Sequence, residues 1–528
     1  MSAFVRDELV LPQLVHARAQ STQGSQPFLA EVGGEWRSYS EVDQAAREWV
    51  KAMQQLGVKT GSRVAVMLPT SIESMLLWLA CGWLRAFEVP IHAQYRGAIL
   101  RYLLDNSGAE VLVIGDQYLE ALQDVANDLK TVVSIVVVPR AIPSWRDAVP
   151  TRWQSNTHTI DELRCGEFVA DSGPSYSDIG AIVYTSGTTG PAKGVQVPWR
   201  LFHRHGEITI PLHDIGPRDA FYCPLPLSHI AGRVGIYNMA LAGGRALLRE
   251  KFSVEAFWDD IEAHHCTTAI VMGSMAEMLW RRPPSERDAL TPLSKILMGP
   301  LIPQVEDFKK RFNLRVRTQF GMTETVAPLM SGVKDAWDLA NTQSCGRVAR
   351  GFQVRIADEH DEPVAPGEVG ELLIRSDDPW LITSGYWQDA ESTVRAFRNQ
   401  WFHTGDAFRC DEQGNYYFVD RIKDTIRRRG ENISSFFVEH AITEHPAVAE
   451  CAVVGIESAF TEQEIYGFVV PKAGMQVDSV QLRDFLKNRL PAFMIPQHWI
   501  CIAELPRTST QRVRKIELRQ QVLASRKI

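Results

Sequence analysis

A stretch rich in glycine and hydroxyl residues follows the apolar run from Ile179 to Tyr184. Its glycines let the backbone adopt positive φ and approach a ligand closely, and its hydroxyls and single lysine donate the hydrogen bonds that phosphate oxygens accept. The candidate phosphate-binding residues are Thr185, Ser186, Gly187, Thr188, Thr189, Gly190 and Lys193. The stretch therefore predicts a nucleotide phosphate loop.

The spacing within this loop differs from that of the Walker motif. The Walker pattern has four residues between its first glycine and its Gly-Lys pair, whereas Gly187, Gly190 and Lys193 are each separated by two residues. A P-loop kinase or ATPase is therefore disfavoured.

A second group of candidate residues lies further along the chain. It consists of Gln319, Phe320, Gly321, Met322, Thr323 and Glu324. The Phe320 ring can stack on adenine, the Thr323 hydroxyl can donate to an α-phosphate, and the Glu324 carboxylate can hold the Mg²⁺ that neutralises phosphate charge. Together with the first loop, this group predicts a site for ATP and Mg²⁺.

These motifs resemble those of the adenylate-forming superfamily, which contains acyl- and aryl-CoA ligases, nonribosomal peptide adenylation domains and firefly luciferase. They occur in the order and at the spacing of that superfamily over nearly all of the 528 residues. The resemblance, closest to the acyl-CoA ligase branch, implies an α/β fold with a large multi-layer N-terminal body and a small mobile α/β C-terminal domain. It implies acyl-AMP or ATP, CoA and Mg²⁺ as cofactors, and a small-molecule carboxylic acid or its adenylate as substrate.

The resemblance also implies roles for single residues. The first loop holds the β- and γ-phosphates of ATP, and Gly299 and Pro300 border the adenine and the acyl chain. Asp406 accepts hydrogen bonds from both ribose hydroxyls, and Arg421 contacts ribose and phosphate. His229 is the gate of the acyl pocket.

A rotating C-terminal domain is a further implication of the resemblance. Residues 1–423 form the adenylate- and acyl-binding body, residues 424–528 form the mobile domain, and Lys423 is the hinge. The loop that enters the active site beside the pantetheine tunnel for the thioester step carries Arg429, Gly430 and Glu431.

The chain departs from the superfamily at Arg512, where other members have a catalytic lysine. That lysine places a compact ammonium between the carboxylate and the α-phosphate, and a broad planar guanidinium does not fit the same position. Losing one such donor commonly lowers a rate by about 10² to 10³. Adenylation should therefore be impaired, whereas thioester formation does not require residue 512.

We therefore predict an acid–thiol ligase that forms acyl-CoA from an acyl-adenylate and CoA, with its ATP-dependent half-reaction impaired or lost. This pattern resembles the non-adenylating acyl-CoA ligases of diterpenoid antibiotic pathways, and a separate adenylating enzyme would supply the acyl-AMP. Two alternatives stay open. One is a complete ATP-dependent carboxylic acid–CoA ligase, natural or engineered, that tolerates the arginine, and the other is a degenerate protein that only binds acyl-adenylate or CoA.

The acid itself is not determined by the sequence. Superfamily members that activate amino acids carry an aspartate near the gate, but no acidic residue lies between Phe221 and Ala240, so a plain carboxylic acid is favoured. Small residues near the expected pocket leave room for a bulky apolar acid: Ala231, Gly232 and Gly299. Arg233 could equally pair with a second carboxylate.

Alternating helical and β-branched segments must position these residues. Ser40 is predicted to cap a helix that ends at Gly57, with Asp43 in its first turn. Further segments are predicted as strands or helices. The strands are 63–68, 110–114, 132–138, 447–455 and 465–470, and the helices are 71–85, 435–444 and 479–490.

Composition limits the partners and the compartment. Hydrophobic residues make up 45% and charged residues 23%, and the net charge of −7 gives no overall attraction for nucleic acid. The length suggests about two to four domains. Eight scattered cysteines without a Cys-x-x-Cys pair predict buried thiols in a reducing compartment. No apolar run reaches ~18 residues, so we expect a cytoplasmic protein without a membrane span.

Overall fold

The computed structural model describes residues 9–163, 168, 173–185, 192–332, 337, 339, 344–422, 424, 426–428, 431–457, 463–487, 489–490, 492, 494–508 and 513–525. These residues form two compact units. The larger unit comprises described residues within 9–185, 192–353 and 375–395, and the smaller unit comprises those within 354–374 and 396–525. The predicted boundary at residue 423, about which the two domains should rotate, stays a prediction.

The α-helices alternate with strands along the chain. They are α1 (Leu11–Ala19), α2 (Tyr39–Gln55), α3 (Ile72–Trp83), α4 (Gly97–Ser107), α5 (Glu120–Gln123), α6 (Trp199–Thr209), α7 (Ile230–Ala242), α8 (Phe257–His264), α9 (Gly273–Trp280), α10 (Val305–Phe312), α11 (Ala390–Ala396), α12 (Ser435–Thr443), α13 (Ser479–Lys487) and α14 (Lys515–Ser525). Short 3₁₀ turns occur at Asp116–Tyr118, Trp145–Ala148, Thr151–Asn156, Ile160–Leu163, Leu212–Asp214 and Arg398–Gln400.

One seven-stranded sheet of the larger unit joins distant parts of the chain. Its spatial order is β14 (Arg315–Arg317), β13 (Lys295–Gly299), β12 (Thr268–Met272), β10 (Ala220–Cys223), β11 (Arg245–Leu248), β1 (Pro27–Glu31) and β2 (Arg37–Ser38). Its pairs are parallel except for the antiparallel pair of β1 and β2. The parallel pair of β1 and β11 aligns Glu31 with Leu248.

A second seven-stranded sheet leads into the predicted phosphate loop. Its order is β7 (Thr157–His158), β6 (Ser134–Val138), β5 (Val111–Gly115), β3 (Arg63–Met67), β4 (Phe87–Pro90), β8 (Ile179–Thr185) and β9 (Lys193–Pro198). All of its pairs are parallel except the hairpin of β8 and β9. Parallel strands covered on both faces are uniformly apolar, and every residue of β5 is buried.

Smaller sheets complete both units. A three-stranded sheet of the larger unit contains β15 (Gln319–Met322), β16 (Val326–Met330) and β17 (Arg347–Val348). The sheets of the smaller unit contain β18 (Phe352–Ala357), β19 (Gly370–Ser376), β20 (Phe402–Cys410) and β21 (Tyr416–Arg421), then β22 (Ile426–Arg428) with β23 (Glu431–Ile433), and finally β24 (Val448–Glu457), β25 (Gln463–Pro471) and β26 (His498–Cys501).

Helix α2 begins earlier than the sequence predicted. Ser38 caps it by accepting from the Glu41 amide, and the Glu41 side chain returns a bond to the Ser38 amide, which completes a capping box. Ser40 instead lies inside the helix and donates its hydroxyl to the Ala19 carbonyl oxygen at 3.0 Å. Both serines precede an acidic residue by three positions, so the local pattern does not distinguish them.

The cysteines are less uniformly buried than expected. The seven described cysteines are free thiols, of which Cys81, Cys223, Cys266 and Cys451 are buried. Cys501 is exposed because it ends β26, an edge strand, while Cys345 and Cys410 are partly exposed. The prediction of buried thiols is therefore wrong at these three positions. Within the described ranges, no helix is both long enough and apolar enough to cross a bilayer.

Candidate active site

Thr185 and Lys193 lie opposite each other where β8 ends and β9 begins. They are a register pair of this antiparallel hairpin, and the Thr185 hydroxyl donates to the Lys193 carbonyl oxygen at 3.5 Å. The hairpin thus fixes both ends of the predicted phosphate loop. The residues between them fall outside the described part of the chain: Ser186, Gly187, Thr188, Thr189 and Gly190.

A tyrosine that the sequence analysis missed connects Lys193 to Glu324. The Lys193 Nζ atom lies 4.7 Å from the centroid of the Tyr386 ring, and the Tyr386 hydroxyl donates to Oε1 of Glu324 at 3.1 Å. Burial, together with the charge of Glu324, raises the pKa of Tyr386 above its ordinary value. The phenol therefore stays protonated at neutral pH and remains a hydrogen-bond donor to the predicted metal ligand.

The turn between β15 and β16 carries Thr323 and Glu324, and each is 6% exposed. Gly321 permits this turn because a Cβ atom there would lie 2.0 Å from the Val326 carbonyl oxygen. The Glu324 carbonyl oxygen accepts from the Thr383 amide at 2.7 Å. The backbone on both sides therefore holds the side chains that are predicted to contact the α-phosphate and Mg²⁺.

The predicted adenine-side residues lie on neighbouring segments. Strand β15 carries Gln319, Phe320 and Met322, while β13 ends at Gly299, which is joined to Pro300 by a cis peptide bond. A Cβ atom on Gly299 would first meet the Gln319 carbonyl oxygen at 3.7 Å, which is an ordinary contact distance. The structure thus brings Gly299 beside the start of β15 and leaves space around it.

His229 is the N-terminal cap of helix α7. Its Nδ1 atom accepts from the Ala231 amide at 3.2 Å, so the neutral ring carries its proton on Nε2. The predicted gate residue is therefore oriented by the backbone that follows it. Gly232 serves this helix start as well, because a Cβ atom there would lie 2.4 Å from the Pro226 carbonyl oxygen. Backbone therefore fills the space that a side chain would take at Gly232, and the predicted room for a bulky acid beside it stays a prediction.

Arg233 forms a buried ion pair with Glu88 instead of facing a ligand. Arg233 is 2% exposed and Glu88 is fully buried. The Arg233 Nη2 atom donates to Glu88 Oε1 at 2.8 Å, Nη1 pairs with the other carboxylate oxygen, and Nε donates to the Leu227 carbonyl oxygen. The expectation that Arg233 pairs with a second substrate carboxylate is wrong, because a carboxylate of the protein occupies its donors.

His205 lies beside Gln319, and the sequence analysis did not single it out. The Gln319 Nε2 atom and His205 Nε2 are 2.9 Å apart, and the amide must donate here, so the ring proton is on Nδ1. This Nδ1 atom and Gln319 Oε1 are both buried without a hydrogen-bond partner among the described residues. Burial, with a smaller effect of the neighbouring His229, lowers the pKa of His205 to about 3, so the ring is neutral.

In the smaller unit, Asp406 and Arg421 face each other across β20 and β21. The Arg421 Nε atom lies 2.7 Å from Asp406 Oδ1, with side-chain exposures of 28% and 1%. The Asp406 amide donates to the Thr404 hydroxyl at 3.1 Å, which fixes the turn before the carboxylate. The two residues predicted to contact ribose thus form a cross-strand ion pair.

Lys515 is anchored within the smaller unit. Its Nζ atom donates to Ser435 Oγ at 2.5 Å and pairs with Glu439 Oε1 at 2.7 Å. The Ser435 hydroxyl in turn donates to Asp420 Oδ2 at 2.7 Å. Burial opposes the charged form of Lys515, but the charges of Glu439 and Asp420 outweigh it and raise the pKa of Lys515.

The remaining predicted residues of this unit cannot be placed. Glu431 begins strand β23, but its side chain is not described. Those outside the described residues are Lys423, Arg429, Gly430 and Arg512.

Two sequence patterns of known families match the chain. The pattern of the AMP-binding enzyme matches residues 15–387, which is more than half of the chain. The chain belongs to the AMP-binding enzyme family. The pattern of the AMP-binding enzyme C-terminal domain matches residues 438–512 of this family member.

Full-length relatives agree with this assignment. The AMP-binding enzyme is 29% identical over 495 residues to a crotonobetaine/carnitine–CoA ligase of Salmonella agona (strain SL483), covering 91% of this chain and 93% of the relative. It superposes on ATP-bound MatB from Rhodopseudomonas palustris with a TM-score of 0.83 at 22% identity, covering 97% and 98% of the two chains. It superposes on the AMP complex of O-succinylbenzoate coenzyme A synthetase from Bacillus subtilis with a TM-score of 0.81 at 22% identity, covering 96% and 97%.

These similarities confirm the resemblance to the acyl-CoA ligase branch of the adenylate-forming superfamily, and they confirm the α/β fold class. The AMP-binding enzyme has no cluster of three or more potential metal-ligating side chains in the described ranges. A lone Glu324 carboxylate still suits Mg²⁺, because Mg²⁺ commonly takes one or two protein carboxylates and completes its shell with phosphate and water.

Proposed function

We propose that this AMP-binding enzyme is an acyl-CoA ligase whose adenylation half-reaction is slow because Arg512 replaces the superfamily's lysine. In the first half-reaction a carboxylate oxygen attacks the α-phosphorus of ATP, giving acyl-AMP and releasing pyrophosphate. In the second, the CoA thiolate attacks the acyl carbon, giving the thioester and releasing AMP. The CoA ligase names of the full-length relatives support the overall reaction.

The substitution at residue 512 carries the proposal. Two anions must meet in the first half-reaction, so the barrier depends on a cation placed between them. A guanidinium spreads its charge over a wide plane and cannot replace a compact ammonium at the same point. We therefore expect adenylation to be slower than thioester formation by about 10² or more.

The nearest lysine in sequence is not a substitute for the missing one. Lys515 is bound to Ser435 and Glu439, and its position at the start of α14 ties it to the smaller unit. Freeing its ammonium would leave the Glu439 carboxylate, whose side chain is only 19% exposed, without its cation, which is costly.

The thioester half-reaction keeps the residues that we assign to it. We propose that Asp406, Arg421 and Thr323 hold the adenylate and that Arg429, Gly430 and Glu431 act in the rotated domain. A separate adenylating enzyme would then supply the acyl-AMP. The absence of an acidic residue between Phe221 and Ala240 favours a plain carboxylic acid as the acyl donor.

A complete ATP-dependent ligase is the second candidate. The contact chain from Lys193 through Tyr386 to Glu324 favours it, because a site that no longer used ATP would be under no constraint to keep these two contacts. In that case Glu324 would hold Mg²⁺, which neutralises phosphate charge, and Arg512 would act in place of the lysine.

The ratio of the two half-reaction rates on one sample distinguishes these candidates. With acid, ATP and Mg²⁺, pyrophosphate release should be at least about a hundredfold slower than the loss of CoA thiol on adding synthetic acyl-AMP. Arg512→Lys should speed pyrophosphate release and so bring the two rates closer together. Arg514→Lys is the matched control, because Arg514 is an exposed arginine paired with Glu517. Comparable rates in the unmodified protein would contradict the proposal and indicate a complete ligase. If no CoA thiol is lost on adding acyl-AMP, the protein only binds its ligands.

The two half-reactions place different residues at one site, so we also propose rotation about Lys423. Lys423→Pro should hold one orientation and slow at least one half-reaction. Unchanged rates of both would rule out this hinge.

A further inference from the structure

Arg317 is a buried cation that forms no ion pair with any residue that the structure describes. It ends strand β14 and is 2% exposed, and its Nε atom is buried without a hydrogen-bond partner in the part of the chain that the structure describes. The acidic residue whose charge acts on it is Asp214. That carboxylate is already engaged, since it pairs with Arg315 at 3.3 Å and accepts from Trp337 Nε1 at 2.8 Å.

This arrangement is unfavourable unless something else supplies the negative charge. Burying a guanidinium costs free energy that a partner normally offsets. Burial lowers the pKa of Arg317 to about 10, which still leaves it charged at neutral pH. An uncompensated buried charge of this kind is a marker of a binding site.

Arg317 lines a groove of about 290 Å³ in the larger unit. The groove also has apolar walls from Ile208, Pro211 and Met330, and the side chains of Glu207 and His213 line it as well. A second arginine, Arg204, lines it as well, but Arg204 pairs with Glu207 at 2.8 Å and donates to the Arg350 carbonyl oxygen at 3.0 Å. The charge that remains available in the groove is therefore that of Arg317.

We propose that this groove binds a small anion whose carboxylate or phosphate pairs with Arg317 while a short apolar part contacts Ile208, Pro211 and Met330. The volume is at the lower end of the range for ligand pockets, so the ligand has few atoms. The anionic group belongs either to the far end of the acid substrate or to a separate small molecule. The first case rests on the ligase function proposed above, and the second does not.

Calorimetric titration of the full chain without nucleotide tests the site. The probes are hexanoate, the neutral hexanamide, and inorganic phosphate. Hexanoate should bind the unmodified protein and Arg218→Met equally, and should bind Arg317→Met at least about tenfold more weakly, whereas hexanamide should not distinguish the three. Arg218 is the matched control because it is an exposed arginine of the same unit that does not line the groove. Equal hexanoate affinity for Arg317→Met, or no binding of either anion, would overturn the proposal.

Two further measurements guard against a merely structural role. Ligand-free Arg317→Met should melt at or above the temperature of the unmodified protein, because it removes an uncompensated buried charge, and a marked loss would contradict the proposal. If that variant does not fold, Leu212→Trp should block hexanoate while leaving Arg317 intact, since Leu212 lines the groove and is 37% exposed.

Competition identifies the source of the anion. The titration is repeated with the adenylate site saturated by a non-hydrolysable acyl sulfamoyl adenosine. Displacement of hexanoate that depends on Arg317 assigns the anionic group to the acid substrate. Hexanoate binding that persists assigns it to a separate ligand.

Discussion

The Arg421 Nε atom lies 2.7 Å from Oδ1 of Asp406, directly across the antiparallel strands β20 and β21. The Asp406 side chain is 1% exposed and the Arg421 side chain is 28% exposed. The guanidinium is therefore accessible to a ligand from solvent, whereas the carboxylate is covered by protein. A ribose bound here would meet an acceptor whose orientation is already fixed.

Replacing Asp406 tests this ribose assignment. Asp406→Asn should weaken binding of a non-hydrolysable acyl sulfamoyl adenosine by more than about tenfold, because a charged hydrogen-bond acceptor is worth ~1.5 to 3 kcal/mol. Titration calorimetry measures the affinity. Glu412→Gln removes one charge from the exposed turn of the same hairpin and should leave the affinity unchanged. Equal affinities for all three proteins would place the ribose elsewhere.

Removing the Tyr386 hydroxyl should weaken Mg²⁺-dependent ATP binding. Tyr386→Phe keeps the ring beneath Lys193 and removes the donor to Glu324, so the carboxylate loses one charge-assisted hydrogen bond. We expect about a tenfold loss in ATP affinity with Mg²⁺ present, and a larger loss for Glu324→Gln. If Tyr386→Phe binds ATP normally while Glu324→Gln does not, the phenol has no part in positioning the carboxylate.

The buried His205 should make the protein sensitive to acid. Its pKa is lowered from 6.5 to about 3, so between these values the unfolded chain binds more protons than the folded one. The free energy of unfolding should therefore fall as the pH decreases from about 6.5 toward 3. His203, whose pKa burial lowers to about 4, adds to the same decline.

Melting temperatures between pH 7 and pH 4.5 measure this effect. The decline should be shallower for His205→Gln than for the unmodified protein. His213→Gln is the control, because that side chain is 79% exposed. Parallel curves for all three proteins would mean that His205 already accepts a proton in the folded state.

Removing one partner of the Arg233–Glu88 ion pair should destabilise the fold more than replacing both partners with apolar residues. Glu88→Gln should lower the free energy of unfolding by about 3 to 5 kcal/mol, because it leaves a guanidinium buried without its counter-charge. The double variant Glu88→Leu with Arg233→Met should recover most of that loss. Urea denaturation provides the comparison, with Asp128→Asn as a control that removes an exposed pair and should cost about 1 kcal/mol or less. A double variant as unstable as the single one would indicate a packing role instead.

The features that the sequence predicted correctly depend on residues that are close together in the sequence. The runs that became β3, β5 and β6 are short, apolar and rich in β-branched residues, so their strand character does not depend on distant partners. The turn with Thr323 and Glu324 likewise follows from neighbouring residues, because Gly321 and Val326 lie within the same hairpin.

The features that the sequence did not predict depend on tertiary contacts. Arg233 and Glu88 are 145 positions apart, and Tyr386 and Glu324 are 62 apart, so neither pairing has a local signature. A lone arginine near an expected pocket looks the same in sequence whether it awaits a substrate or pairs with the protein. Arg233 and Arg317 are each 2% exposed, so the presence of a partner carboxylate, rather than residue type or burial, distinguishes the two cations.

The pairing of β1 with β11 has a consequence for synthesis on the ribosome. Glu31 emerges early, but its register partner Leu248 is made roughly 200 residues later, which at about 5 to 20 residues per second takes ~10 to 40 s. The sheet from β3 to β9 has all of its strands in the intervening stretch and can assemble first. During that interval β1 can pair with β2 but lacks its parallel partner β11, so the edge of β1 that will face β11 is still unpaired while the other sheet assembles.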